Sequence, residues 1–281
     1  MRKYLVFALF LSINTFSNAQ TFEAKVDSLI SSVFKDETGP GGTFLIAKDG
    51  KPVYQKSFAK ANVELDVNLN NESIFQLGSI TKQFTAIAIL MLAEQGKLNL
   101  RAPIKNYIPD YPNGENITVH HLLTHTSGIK DFTKMKTLPQ IAQKDLEPKD
   151  VINFFKNETA DFLPGEKFEY NNSGYVVLGY LIELTSQETY ENYIKKHIFD
   201  KLGMKNSRYA SDRSIIKNRA YGYQQKNNIY FNKSVISFNI PYASGSLMST
   251  VGDMLIWQNA LTDNLLLKAS TIQKAFTSYK L

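Results

Sequence analysis

The feature that most constrains this chain is a helix without a wet face. From Ser79 the sequence runs through Phe84, Ile87, Ile89, Leu90, Met91 and Leu92 to a stop at Gly96. At 3.6 residues per turn these apolar positions cover nearly every side of the helix. Such a helix must lie inside other protein or inside a membrane, and it falls short of the roughly 20 apolar residues that span a bilayer. The rest of the chain therefore has to form its walls.

Those walls can be read on both sides. Upstream, Val26, Leu29, Ile30, Val33 and Phe34 fall at helical spacing, and Gly39-Pro40-Gly41-Gly42 breaks the chain. Thr43–Ala47 and Val53–Phe58 then read as two strands about an Asp49-Gly50 turn. A helix followed by a hairpin points to an antiparallel sheet with a helix on one face. Downstream, residues from about 100 to 205 read as short helices and loops, including Thr118–His125, Pro148–Lys156 and Gly174–Leu184. Strand-like runs return at Asn228–Phe231 and Ser234–Ile240. A helical stretch covers Asp253–Leu261, and another begins near Ser270. The expected fold is α/β of the α+β type, an antiparallel sheet flanked by helices with an inserted all-helical subdomain. It forms a single domain over residues 20–281, with 20–78 plus about 206–281 as the sheet part and about 79–205 as the helical part.

Composition narrows the chemistry. With 43% hydrophobic residues, 21% charged residues and no cysteine, the chain is globular and has no thiolate nucleophile, disulfide or cysteine metal site. Arg2 and Lys3 precede an apolar run from Leu5 to Ile13, and Ser17 and Ala19 occupy the small-residue positions before Gln20. That is the layout of a secretory signal peptide over residues 1–19, so a periplasmic or secreted product without a stable membrane anchor is expected. Its removal takes two positive charges from a net +6. The remaining mild excess has no basic block, which argues against nucleic acid as a partner.

Five serines (Ser32, Ser57, Ser79, Ser127 and Ser214) have a lysine three places on, so S-x-x-K alone carries little. Context selects Ser79, which follows Gly78 at the head of the buried helix. A hydroxyl there sits at the positive end of the helix dipole, beside backbone N–H groups able to hold an oxyanion. Lys82 lies on the same face, and poor solvation lowers an ammonium pKa, which favours a neutral amine able to take the serine proton. The competing reading makes Ser79 an ordinary helix cap and lets Lys82 reach out to solvent. A second cluster, Tyr170-Asn171-Asn172, lies between the Pro164-Gly165 turn and a helix. A phenol near a lysine can act as general base, and an Asn amide can orient a substrate carbonyl.

These elements resemble serine β-lactamase-related proteins, most closely class C β-lactamases, D-alanyl-D-alanine carboxypeptidases and related esterases. Leu122-Leu123-Thr124-His125-Thr126-Ser127-Gly128, Leu202-Gly203-Met204 and Gly245-Ser246-Leu247-Met248-Ser249-Thr250 agree with that likeness. The resemblance covers about residues 23–280. It implies Ser79 as acylated nucleophile, Lys82 as its proton partner, Tyr170 as general base and Asn172 as a contact to the substrate amide. No cofactor is implied; the partner is a small-molecule or peptide substrate, and the oligomeric state is open. The family's K-T-G or H-x-G element finds no counterpart after residue 250. The expectation is a C-terminally short chain that lacks later sheet strands and the last helix.

His120, His121 and His125 lack the Glu of H-E-x-x-H, so a zinc site is not expected, and the resemblance makes His125 structural. Two functions stay open at this point. One is an exported serine hydrolase working through an acyl-serine on amide or ester substrates. The other is a truncated or degenerate relative that binds peptide or a partner without turnover.

Overall fold

The computed structural model describes residues 21–279; the signal-peptide segment lies outside the described residues. The described residues fall into two compact units, one ending at Lys35 and the other beginning at Asp36. Within the first, α1 (Phe22–Val33) begins at Thr21, whose side chain accepts a hydrogen bond from the Ala24 N–H.

The second unit opens with the hairpin β1 (Gly42–Lys48) and β2 (Lys51–Phe58), paired antiparallel across the Asp49-Gly50 turn, with a bulge at Ile46/Ala47. Short strands β3 (Lys60–Asn62), β4 (Val67–Asn68) and β5 (Phe75–Gln76) lead to α2 (Thr81–Glu94). The helical stretch follows as α3 (Val119–Leu123), α4 (Pro148–Phe155), α5 (Asn172–Ser186) and α6 (Tyr190–Ile194). A π turn, Lys195–Phe199, joins α6 to α7 (Asp200–Leu202). The chain then forms β6 (Arg208–Tyr209), β7 (Tyr223–Lys226), β8 (Ile229–Asn232), β9 (Leu247–Ser249), α8 (Val251–Thr262) and α9 (Ala269–Ala275). All strand pairing within named strands is antiparallel, as expected, and it is divided among small sheets: β1–β2, β3–β4, β5–β9–β6 and β7–β8.

The wet-face argument holds for α2, whose Phe84, Ile87, Ala88, Ile89, Met91 and Leu92 are all buried. They share one core with α3, α4, α5 and the aromatic residues Tyr190, Tyr193 and Trp257. Phe84 stacks on Trp257 at 4.0 Å, joining α2 to α8. In turn α8 sits against the hairpin, with Asn259 Nδ2 donating to the Gly50 carbonyl at 2.9 Å.

One strand expectation fails. Ser234–Ile240 has the alternation of a strand, yet it forms an irregular segment ending in a turn. Its backbone bonds are local or isolated: Ser237 N–H donates to the Ala142 carbonyl at 2.8 Å and Ile240 N–H to Ser237 O at 3.1 Å. Phe238 and Ile240 turn into separate cores while Val235 stays exposed. Periodicity reported which residues could be buried, but a ladder needs a neighbouring strand and none lies alongside.

Candidate active site

Two strand residues and one glycine set the geometry at the head of α2. β5 pairs with β9, and the Leu77 N–H continues that pairing to the Leu247 carbonyl at 2.8 Å. Gly78 then adopts a left-handed φ of 54°, a conformation that favours glycine, and turns the chain into a 3-10 turn, Gly78–Ile80, ahead of α2. Ser79 is exposed in that turn. The cap positions belong to Leu77 and Ile80, and neither end carries a side-chain cap bond. The reading of Ser79 as an ordinary helix cap therefore fails.

Lys82 does not reach out to solvent either. It is 6% exposed, and its Nζ donates to Ser79 Oγ at 3.2 Å, Asn172 Oδ1 at 2.9 Å and the Ser244 carbonyl at 2.9 Å. Burial pushes its pKa below the ordinary lysine value, while the Tyr170 phenol and the Asp131 carboxylate act in the opposite direction. The Ser244 carbonyl is fixed from below α2. Thr85 Oγ1 donates to the Ala243 carbonyl at 2.7 Å, and Thr81 Oγ1 accepts from the Leu247 N–H at 3.1 Å. Tyr242 carries a φ of 43°, an unfavourable conformation for a bulky residue that costs on the order of 1–3 kcal/mol. Its ring is buried and its hydroxyl donates to Glu183 Oε1 at 2.8 Å, which holds the bend in place.

Asn172, the first residue of α5, is half-buried and bonded through both ends of its amide. Its Nδ2 donates to Asp131 Oδ2 at 3.1 Å and Thr133 Oγ1 at 3.1 Å, and its backbone N–H donates to Asp131 Oδ2 at 3.2 Å. With the amide nitrogen bound to a carboxylate, the amide oxygen is the atom that faces Lys82. These bonds hold the Asn172 amide in place beside Lys82. Asp131 itself is 2% exposed, and its Oδ1 accepts from the Thr133 N–H and Oγ1 at 2.9 and 2.8 Å.

Tyr170 completes the group, with the Lys82 ammonium 4.8 Å from its ring centroid and the ring 42% exposed. Two loops lock together to hold it. The Asn171 N–H donates to His125 Nδ1 at 3.0 Å, Asn171 Nδ2 to the Ile129 carbonyl at 2.6 Å, and the Glu169 N–H to the His125 carbonyl at 2.9 Å. Asn171 Oδ1 also caps α5 by accepting from the Gly174 N–H at 2.8 Å. The His125 ring lies between Tyr170 and Tyr175, at 4.7 and 5.0 Å. Burial, then the Lys82 charge, push its pKa down to about 4, so it is neutral near pH 7 and accepts the Asn171 bond.

The four residues singled out in the sequence thus meet at Lys82. The other S-x-x-K matches do not close among the described residues. Lys60 bonds Asn68 and Asp66, and Lys130 pairs with Asp161 at 2.6 Å. The histidines have separate tasks: His121 Nδ1 accepts from the Thr118 N–H, and His120 packs edge-on against Tyr279. Among the described residues no group of three or more His, Asp or Glu side chains could hold a metal ion. Among the same residues no helix is long and apolar enough to cross a membrane. Two participants were missed. Asp131 follows the T-H-T-S-G stretch by three residues and could have been flagged as an acidic residue next to a candidate site loop. The Ser244 carbonyl is a backbone atom with no side-chain signal.

The fold and this arrangement define a serine β-lactamase-type protein. The chain matches the Beta-lactamase family model over residues 22–280 and belongs to that family, a family of serine hydrolases. It is 33% identical over 248 residues to the Bacillus subtilis (strain 168) protein named "Putative penicillin-binding protein PbpX", a match covering 88% of this chain and 61% of the relative. The solved penicillin binding protein from Bacillus halodurans aligns with a TM-score of 0.78 and 28% identity, over 90% of this chain and 78% of that one. The octameric penicillin-binding protein homologue from Pyrococcus abyssi aligns with a TM-score of 0.76 and 35% identity, over 91% of this chain and 60% of that one. The chain spans between 41% and 61% of the length of the first curated relatives it matches.

Proposed function

We propose that this protein is an exported serine hydrolase that works through an acyl-Ser79 intermediate on amide or ester substrates. The observation that carries the reading is the set of oxygens around the Lys82 amine. A neutral amine has two N–H donors and one lone pair. Asn172 Oδ1 and the Ser244 carbonyl can only accept, so they engage the two N–H groups and leave the lone pair facing Ser79 Oγ, 3.2 Å away. Burial favours that neutral form.

The steps follow from this arrangement. Ser79 Oγ attacks the substrate carbonyl carbon as its proton passes to the Lys82–Tyr170 pair. The carbonyl oxygen takes the displaced electron pair as an oxyanion, beside the backbone N–H of Ser79 at the positive end of α2. When the tetrahedral intermediate collapses, the bond to the leaving nitrogen or oxygen breaks, and Tyr170, exposed on the cleft side, returns the proton to it. Water then attacks the acyl-serine, gives one proton to the same pair, and the acid leaves as Ser79 Oγ recovers its proton. In this account Asn172 and Asp131 are positioning residues: Asp131 fixes the Asn172 amide, and Asn172 aims the amine.

The reading is tested by incubating the folded chain with a fluorescent penicillin and with a neutral fluorophosphonate. Covalent labelling that disappears in Ser79→Ala is the expected result. No labelling of well-folded protein, or labelling that survives Ser79→Ala, overturns it and leaves the non-catalytic alternative. Export rests on residues 1–19 alone; a mature N-terminus at Gln20 is expected in the secreted fraction.

A further inference from the structure

Beside the head of α2 lies a cavity of about 400 Å³ whose wall includes Gly78, the residue next to Ser79. That is enough room for part of a small molecule. A Cβ placed on Gly78 would meet nothing within 4 Å, so the space beside the turn is open. Phe75, Tyr221, Phe238 and Met248 give the wall an apolar part, and Gln76 with two cations, Arg219 and Lys233, gives it a polar one.

The cations are held there by structure. Gly222 leaves space for the Lys233 stem: a Cβ at Gly222 would lie 2.8 Å from Lys233 Cδ. The Lys233 ammonium then stands 4.9 Å from the centroid of the Phe238 ring, and it makes a long hydrogen bond, 3.4 Å, to Gln76 Oε1. No carboxylate lies within ion-pair distance of Lys233 among the described residues. Arg219 lies over the rings of Tyr221 and Phe238, at 5.6 and 5.3 Å, and is partly neutralised by Asp212 at 3.2 Å. Burial, and then Arg219, depress the Lys233 pKa, while Asp212 acts in the opposite direction, so this half-buried ammonium has lost part of its water without a carboxylate in ion-pair contact.

We propose that this cavity is a subsite for a carboxylate on the acyl portion of the substrate, with Lys233 and Arg219 as its recognition pair. The inference rests on the acyl-Ser79 reading and deepens it by naming a substrate class, acyl groups that end in a carboxylate. With Arg219 already facing Asp212, roughly one positive charge is left to neutralise, which suits a monoanion better than a phosphate dianion. The aromatic walls accept the methylene chain that connects such a carboxylate to the reacting carbonyl.

The experiment compares p-nitrophenyl esters of matched length, one neutral (pentanoate) and one acidic (hemiglutarate), on the full chain. Equilibrium binding of free glutarate and of inorganic phosphate is measured in parallel by calorimetry. The expected result is a kcat/KM ratio of acidic to neutral ester near tenfold at low salt. That ratio falls towards one in Lys233→Gln and in the wild type at high salt, because the contact is between charges partly open to water. Glutarate binds the wild type and binds Lys233→Gln at least fivefold more weakly. Arg219 is packed between rings, so a variant there risks the fold, and Lys233→Gln with the salt series carries the test. A ratio near one in the wild type, or a ratio unchanged in Lys233→Gln, overturns the subsite, as does tighter binding of phosphate than of glutarate. If neither ester turns over and the fluorophosphonate does not label Ser79, the acyl-serine reading fails, and glutarate binding still decides the cavity.

Discussion

Lys82 is buried and Lys233 half-buried, and the two differ in what the protein offers in return for the water they lose. Lys82 is surrounded by three oxygens within 3.2 Å, two of them fixed acceptors. Lys233 has an aromatic face, one distant amide oxygen and an open cavity. A desolvated amine with its acceptors built in is set up for proton transfer inside the protein. A half-buried ammonium without them is set up to receive an anion from outside. Burial alone does not assign a lysine; its hydrogen-bond partners do.

That contrast can be broken most severely at Lys82. Lys82→Gln, one atom shorter, keeps a polar side chain and removes the proton acceptor, so labelling of Ser79 by the neutral fluorophosphonate should slow by about 10³-fold, within the range of general acid–base contributions. The rate constant from intact-mass time courses measures it; a loss below threefold would place Lys82 outside the proton path. Next in size is Gly179→Ala on α5. The added Cβ would lie 2.3 Å from Ala243 Cβ and 2.5 Å from Tyr242 Cε1, so the segment carrying the Ser244 carbonyl must shift. A stability loss of about 1–3 kcal/mol in urea titration is expected, together with slower labelling. A variant as stable as wild type would show that α5 does not set the position of that carbonyl.

The smallest effect concerns His125, which feels the Lys82 charge. Its ring is held neutral in the fold down to about pH 4, whereas the unfolded ring takes up a proton near 6.5. Between those values the unfolded state binds the extra proton, so stability falls as pH drops from 6.5 to 4. Allowing for the ring's partial exposure, the loss is about 1–2 kcal/mol. His125→Asn, in which the new residue tolerates the left-handed φ of 58° at this position, should show a shallower fall in thermal-melt comparisons at pH 7 and 4.5. An identical fall in both proteins would remove His125 from the pH response.

Much of this was legible in the sequence, for physical reasons that can be named. The apolar coverage of α2 required burial. The Asp49-Gly50 turn between strand-like runs gave the hairpin. Gly78 before Ser79 marked a turn that a side chain would resist. Even the choice of Ser79 among five S-x-x-K matches followed from context, since only a serine at the head of a buried helix brings its lysine into the interior. What was not legible depended on the rest of the fold. Ser234–Ile240 carries a strand pattern without a neighbouring strand. Nothing local to Asn172 revealed that Asp131, 41 residues earlier, lies against its amide nitrogen. Backbone carbonyls such as that of Ser244 leave no trace in residue type.

As proposed above, Lys82 acts as a desolvated proton acceptor aimed by the Asp131–Asn172 contact. The pH dependence of fluorophosphonate labelling, in the wild type and in Asp131→Asn, tests it directly. A base must be unprotonated to act, so the rate should rise with pH and level off, with a midpoint below the ordinary lysine value of 10.5. The negative charge of Asp131 favours the ammonium, so Asp131→Asn should move that midpoint to lower pH while the plateau falls about tenfold as the Asn172 amide loses its fixed orientation. A midpoint at or above 10.5, or one that stays in place in Asp131→Asn, would contradict the account.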